Sequence, residues 1–249
     1  MTTRKPVKAS RPQLVGVIAS LADLRFAATV RQSPDLFELR LDYLRDVVDQ
    51  LERKMSILSA KRRTRRGQHG PVIITARDPR EGGANNLPLH QRQELLSRFL
   101  SRASYIDVEL RSAGAFKSLL ASARKQNVRR ILSFHNFKST PSTRSLRTKA
   151  SLAKAHGADI FKVACRTDSP AQLARLIDFM TDKDVDLPVS AMGIGKLGAI
   201  SRLLLARCGS VLNYVSLHQS QVEGQLRKAS RAPIISGLPI GLLRSALRR

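Results

Sequence analysis

The hydrophobic pattern along the chain alternates between two periods. Apolar runs of five or six residues fall at 14–19, 36–41, 71–76, 105–110, 130–135, 159–163, 187–191 and 210–215. Their length and their Val, Ile and Leu content read as buried strands. Between them lie stretches with helical spacing of apolar residues, at 21–31, 44–60, 88–101, 112–125, 142–156, 170–181 and 196–207. A last one, at 239–248, opens with Pro239 at a first-turn position. Eight strands alternating with eight helices predict a single-domain (β/α)8 TIM barrel. A doubly wound open sheet shares the alternation, but no GxGxxG follows the first strand. We assign 1–11 to a basic flexible arm and 12–249 to the barrel, with a basic helix end and loop at 53–70 closed by Gly67 and Gly70.

Several strands carry charge where an ordinary core has none. Glu38 and Arg40 alternate with Leu39 and Leu41, so period two puts both charges on one face. In a barrel that face points inward, near the strand's C-terminal end, where active sites of this fold gather. Asp107 and Glu109 repeat the pattern and are expected to form an inward ion-pair network. The third strand ends in Arg77, suited to an anion, followed by Glu81-Gly82-Gly83, a tight turn whose carboxylate can orient a base. Ser133 and His135 share a strand face, and the imidazole is a candidate general acid or base. Lys162 lies inside the run Ile160-Phe161-Lys162-Val163. Burying a charged amine costs several kcal/mol. The usual escape is a lowered pKa, which makes the amine a nucleophile toward carbonyls. Pairing with Asp107 or Glu109 is the structural alternative. Downstream, Gly193, Gly195 and Gly198 lead into Ser201 and Arg202, a loop and helix start suited to an anion. The polar segment His218 to Gln225 is long enough for a lid.

Composition narrows the setting. The two cysteines, Cys165 and Cys208, have no CxxC spacing, which argues against a disulfide framework or structural zinc and fits a reducing cytoplasm. No apolar run approaches membrane-spanning length. The charge is +25, from 44 Lys+Arg against 19 Asp+Glu, with a run at Lys61–Arg66. Such a field attracts anions of many kinds. With only 4% aromatic residues, a base-stacking surface is poorly supported, so nucleic acid is not the favoured partner.

The ordered set Glu38-Leu39-Arg40-Leu41-Asp42, Arg77 with Glu81-Gly82-Gly83, Ser133-Phe134-His135-Asn136-Phe137 with Thr140-Pro141, Phe161-Lys162-Val163-Ala164, Met192-Gly193 with Gly198 and Ser201-Arg202, and Gly224-Gln225 resembles the type I 3-dehydroquinate dehydratases. The resemblance implies a cytoplasmic, homodimeric TIM barrel without metal or organic cofactor, dehydrating 3-dehydroquinate to 3-dehydroshikimate in the shikimate pathway to aromatic amino acids. It implies a Schiff base on Lys162, general acid/base work by His135, and orientation of His135 by Glu81. It assigns substrate binding to Glu38, Arg40, Arg77, Arg202, Gln221, Gln225 and Ser20. The chain departs from the family at Asn136, often Asp, and in the lid, where Gln221 and Glu223 stand for a serine and a proline. Glu223 is expected to repel an anionic substrate, so that Gln221→Ser with Glu223→Pro would lower KM. Another Schiff-base barrel of the aldolase kind and a basic, non-catalytic RNA-binding barrel are the alternatives.

Overall fold

A computed structural model describes residues 12–30, 33–53, 71–217, 223 and 225–227. The expected arm at 1–11, the basic run at Lys61–Arg66, Gln221 and the helix at 239–248 lie outside the described residues. Strands β1 (Gln13–Ile18), β2 (Leu36–Arg40), β3 (Val72–Thr75), β4 (Tyr105–Glu109), β5 (Arg129–Asn136), β6 (Ile160–Arg166), β7 (Val189–Ile194) and β8 (Leu212–Ser216) follow the predicted order. Helices α1 (Leu21–Thr29), α2 (helical over 48–53), α3 (Leu89–Phe99), α4 (Lys117–Lys125), α5 (Thr143–Ala155), α6 (Pro170–Met180) and α7 (Gly198–Arg207) separate them.

All strand pairs from β1 through β7 are parallel and sequential, and β1 also pairs with β8. The ring is nearly closed. At its last seam, β7 and β8 form no ladder. One backbone bond, Val211 N–H to Val189 O at 2.9 Å, is joined by Ser190 Oγ donating to Leu212 O at 2.9 Å and by Ala191 N–H donating to Ser210 Oγ at 3.0 Å. Serine hydroxyls thus satisfy backbone groups that a shortened ladder would leave buried and unpaired. A two-residue strand, β9 (Leu226–Arg227), pairs parallel with β8 and was not foreseen.

Two helices start later than their pattern predicts. The 44–60 stretch opens as a 3-10 turn at Arg45–Val47, and the 112–125 stretch opens as one at Leu110–Ser112, with a turn through Gly114 before α4 begins. Caps fix other starts. Ser169 and Gln172 form a capping box on α6, with Pro170 in the first turn. The main core lies between the strands' outer faces and the helices, where Leu39, Ile74, Ile106, Leu132 and Phe161 are all fully buried. A second apolar cluster lies inside the barrel: Leu36, Ile73, Tyr105, Ile131 and Ile160 line its floor.

Candidate active site

Two residues beyond each floor position, the inward face changes character. Leu36 gives way to Glu38, Ile73 to Thr75, Tyr105 to Asp107, Ile131 to Ser133 and Ile160 to Lys162, because side chains repeat with period two. Parallel register aligns them: Thr75 lies opposite Asp107, and Ser133 opposite Lys162. Lys162 Nζ is 2.9 Å from Asp107 Oδ2 and 3.4 Å from Glu38 Oε1, which also accepts from Thr75 Oγ1 at 2.8 Å. Buried Arg77 holds Asp107 with two parallel bonds of 3.0 Å, and its Nη1 also reaches Glu109 at 3.0 Å and Ser133 Oγ at 2.6 Å. Burial opposes ionisation of Asp107, yet the Arg77 and Lys162 charges hold its carboxyl below the ordinary range. The expected ion-pair network is present and it includes Lys162. The amine therefore does not sit alone among apolar groups as its sequence neighbours suggest. The carboxylates come from strands 55 and 124 residues away. Arg77, expected at a substrate, borders the cavity but directs its hydrogen bonds to protein groups.

Above this layer stands His135, two residues beyond Ser133 on β5. Its Nδ1 is 3.0 Å from Glu81 Oε2, and the same oxygen accepts the His135 backbone N–H at 2.9 Å. Glu81 reaches this place because the Pro79–Glu81 turn folds back tightly. Gly82 has φ of +83°, and a Cβ on Gly83 would sit 2.1 Å from the Arg77 carbonyl oxygen. Burial, with the Glu109 charge, pushes the Glu81 carboxyl up to about 7, against the pull of Arg77. Burial and the positive charges of Arg77 and Lys162 push the His135 imidazole well below its ordinary value. The ring is therefore neutral around pH 7, as a base must be. With Nδ1 held by Glu81, Nε2 is the nitrogen left for a ligand. Phe137 stacks on the ring at 6.5 Å between centroids and packs over Gly82.

Lys162, His135, Glu81, Glu38, Arg40, Arg77, Arg202 and Gln225 border one cleft of about 590 Å³ including its mouth. Arg40 is gripped by Asp42 through two bonds of 2.9 and 2.7 Å and lies over the Tyr43 ring. Arg202 enters from α7, not from a strand. It is 2% exposed, and its Nη1 meets only the Tyr214 carbonyl at 3.1 Å and the Met192 sulfur at 3.4 Å, while Nε has no partner among the described residues. Burial alone lowers its guanidinium to about 10. A buried cation with no carboxylate beside it among the described residues is chemically suited to an anionic group. Ser20 falls elsewhere: it is exposed, and its hydroxyl caps α1 by accepting from Asp23 N–H at 3.1 Å. The cleft's bordering residues do not include it.

Two participants escaped the sequence reading. Arg92, fully buried on α3, joins Asp78, Glu109 and the Ala76 carbonyl. The available signal was its place on the same helical stripe as Leu96 and Phe99. Tyr214 faces the cleft from β8 on the inward face it shares with Leu212. Glu223 belongs to the lid segment. Its carboxylate is 3.0 Å from Arg166 Nη1 and its carbonyl accepts Gly195 N–H at 3.0 Å. Its charge is thus met by a cation, which offsets the repulsion expected for it.

Comparison with known proteins agrees with this geometry. A model of the type I 3-dehydroquinase family matches residues 17–230. The 3-dehydroquinate dehydratase of Shouchella clausii is 31% identical over 225 residues, spanning 86% of this chain and 84% of that protein. The enzyme of Pyrococcus abyssi is 32% identical over 195 residues, spanning 78% and 83%. The crystal structure of 3-dehydroquinate dehydratase from Geobacillus kaustophilus HTA426 superposes with a TM-score of 0.77 at 26% identity, covering 95% of this chain and 90% of that one. These matches set aside the aldolase-like and non-catalytic barrels. A buried lysine, a carboxylate-held histidine and an unmatched arginine around one barrel mouth, with relatives of this name over most of the length, lead to one conclusion: the chain belongs to the type I 3-dehydroquinase family and is a 3-dehydroquinate dehydratase.

Proposed function

We propose that dehydration proceeds through a Schiff base on Lys162, at the third step of the shikimate pathway. The observation that carries the reading is the placement of Lys162 and His135 on neighbouring strands around one cleft, with His135 one inward position nearer the mouth. The ammonium first gives up a proton, and the neutral amine attacks the C3 ketone of 3-dehydroquinate. Loss of water with uptake of a proton leaves a protonated imine. That cation withdraws electrons from C2, and His135 Nε2 removes the C2 proton to give an enamine. The same imidazole, now charged, returns its proton to the C1 hydroxyl, which leaves as water. Hydrolysis of the imine releases 3-dehydroshikimate and restores Lys162.

The remaining cleft residues hold the substrate. Arg202 pairs with its carboxylate, since no carboxylate among the described residues neutralises that guanidinium. Glu38, Arg40 and Gln225 face its hydroxyls, and Glu81 fixes the imidazole. Arg77 acts one step back, holding Asp107 beside the amine. Homodimeric assembly and a cytoplasmic setting follow from the family likeness and belong to the same proposal. Among the described residues no helix is long and apolar enough to cross a membrane. The test compares two variants. Lys162→Ala should neither turn over nor form a borohydride-stable adduct, whereas His135→Ala should lose turnover and still form one. Near-wild-type turnover in His135→Ala would remove the imidazole from its assigned role.

A further inference from the structure

Tyr214 stands in a position the reaction scheme leaves without a task. Its ring lies inside the barrel, 3% exposed, at the edge of the cleft. Lys162 Nζ sits 3.8 Å from the ring centroid, over the aromatic face. That is well inside the range of a cation–π contact, and burial strengthens it by removing competing water. The backbone of the same residue accepts the Arg202 guanidinium at 3.1 Å. Tyr214 thus touches both the amine and the side chain proposed above to pair with the substrate's carboxylate.

The hydroxyl is not what acts. Tyr214 Oη is buried with no hydrogen-bond partner among the described residues. Burial, together with the nearby Glu38 and Asp107 charges, keeps the phenol protonated. The contact with Lys162 is made by the ring.

We infer that Tyr214 is a positioning residue for Lys162, its ring face serving as a neutral seat for the positive charge on Nζ, first as ammonium and later as protonated imine. This rests on the Schiff-base reading above. Counted from the ammonium, imine formation joins Nζ to the carbonyl carbon and releases the carbonyl oxygen as water with no net uptake of protons: one proton leaves before attack and one returns as water departs. Nitrogen is therefore positive at the start and at the end of the step, and neutral only while it attacks. Asp107 and Glu38 also attract that charge, but a carboxylate can remove the proton and Asp107 is already shared with Arg77. A ring face can do neither, so it favours the cation at a fixed place without neutralising it.

The experiment measures the rate of borohydride trapping with 3-dehydroquinate, alongside kcat and KM, in variants at this position. Tyr214→Phe should trap and turn over within about twofold of wild type, because it keeps the ring and loses an unbonded hydroxyl. Tyr214→Leu should trap about tenfold more slowly, with kcat falling more than KM changes. Replacement by phenylalanine carrying one, two or three ring fluorines tests the ring's electrostatics at nearly constant shape. Trapping should slow stepwise as fluorine drains the negative face, a trend that packing alone would not produce and that survives even if the leucine variant fails to fold. A flat fluorine series, or a folded Tyr214→Leu with wild-type trapping, overturns the role of the ring while leaving the imine intact. No adduct in the wild-type protein would instead overturn the Schiff base itself, and the ring's role with it.

Discussion

Two levels of the barrel interior are built from the same strands and differ in almost everything else. At the floor, Leu36, Ile73, Tyr105, Ile131 and Ile160 pack together out of contact with water. Two residues further along each strand, Glu38, Thr75, Asp107, Ser133 and Lys162 are as deeply buried, and all are polar. The floor stabilises the fold, at about 1.5–3 kcal/mol for each large apolar side chain removed from water. The upper level has no such advantage. Taking several charges out of water costs several kcal/mol each, and apolar residues of equal volume in place of a buried ion pair are often neutral or stabilising. Each bond in the Arg77, Asp107, Glu109 and Lys162 network therefore compensates a cost. The lesson is that the upper level exists to hold chemistry, and the floor makes its cost tolerable.

The largest expected effect breaks the upper level at its nucleophile. Lys162→Ala should reduce turnover below detection while the protein stays folded, since Arg77 still holds Asp107. Activity assays with circular dichroism check both halves, and measurable turnover would move the amine elsewhere.

Arg77→Leu strikes the network rather than the chemistry. It strands Asp107 and Glu109 without their shared cation. Removing one partner of a buried pair should cost about 3–5 kcal/mol, similar to the roughly 2–5 kcal/mol of Ile131→Ala at the floor. Denaturant unfolding of the two variants gives the comparison directly. A neutral Arg77→Leu would mean that the two levels do not differ in kind.

A smaller effect sharpens the role of His135. When the Glu81 carboxyl is protonated, it donates to Nδ1, and the neutral ring must carry its proton on Nε2. When Glu81 is ionised, Nδ1–H donates to it and the Nε2 lone pair is free. The rise of kcat/KM with pH should therefore follow ionisation of Glu81, whose carboxyl stands at about 7. Glu81→Gln should lower kcat by about 10²-fold, within the usual worth of a positioned base, and should lose that limb of the profile. A limb that persists unchanged in Glu81→Gln would assign it to another group.

The smallest effect concerns the lid. Glu223 pairs with Arg166 on the exposed rim, and such pairs contribute little. Glu223→Ala should raise KM only about two- to threefold with kcat unchanged, opposite in sign to the expectation drawn from sequence alone. Steady-state kinetics settle the sign, and a lowered KM would restore the repulsion argument.

These levels were unequally legible in the sequence. The barrel's strands could be placed because apolar runs announce themselves locally, and Glu38–Leu39–Arg40–Leu41 showed its two faces by alternation alone. The partners of Lys162 could be foreseen only as one alternative, because strand register across 55 and 124 residues has no local signature. Arg92 lies in a largely polar helical stretch, and its alignment with Leu96 and Phe99 is the one local mark of its burial. Tyr214 was hidden for the opposite reason: an aromatic on a strand is ordinary core, and the cation above its ring comes from a strand on the far side of the seam. The serines bridging β7 and β8 could not be read either, since nothing local separates a hydroxyl that replaces a ladder bond from one that faces solvent.

The central claim is that the buried amine of this polar level bonds covalently to substrate. The direct measurement is borohydride reduction in the presence of 3-dehydroquinate, followed by peptide mapping by mass spectrometry. The account predicts one adduct of the substrate or product skeleton, on the peptide that contains Lys162, absent from Lys162→Ala. A catalytically active protein that forms no adduct, or forms it on a different lysine, would contradict it.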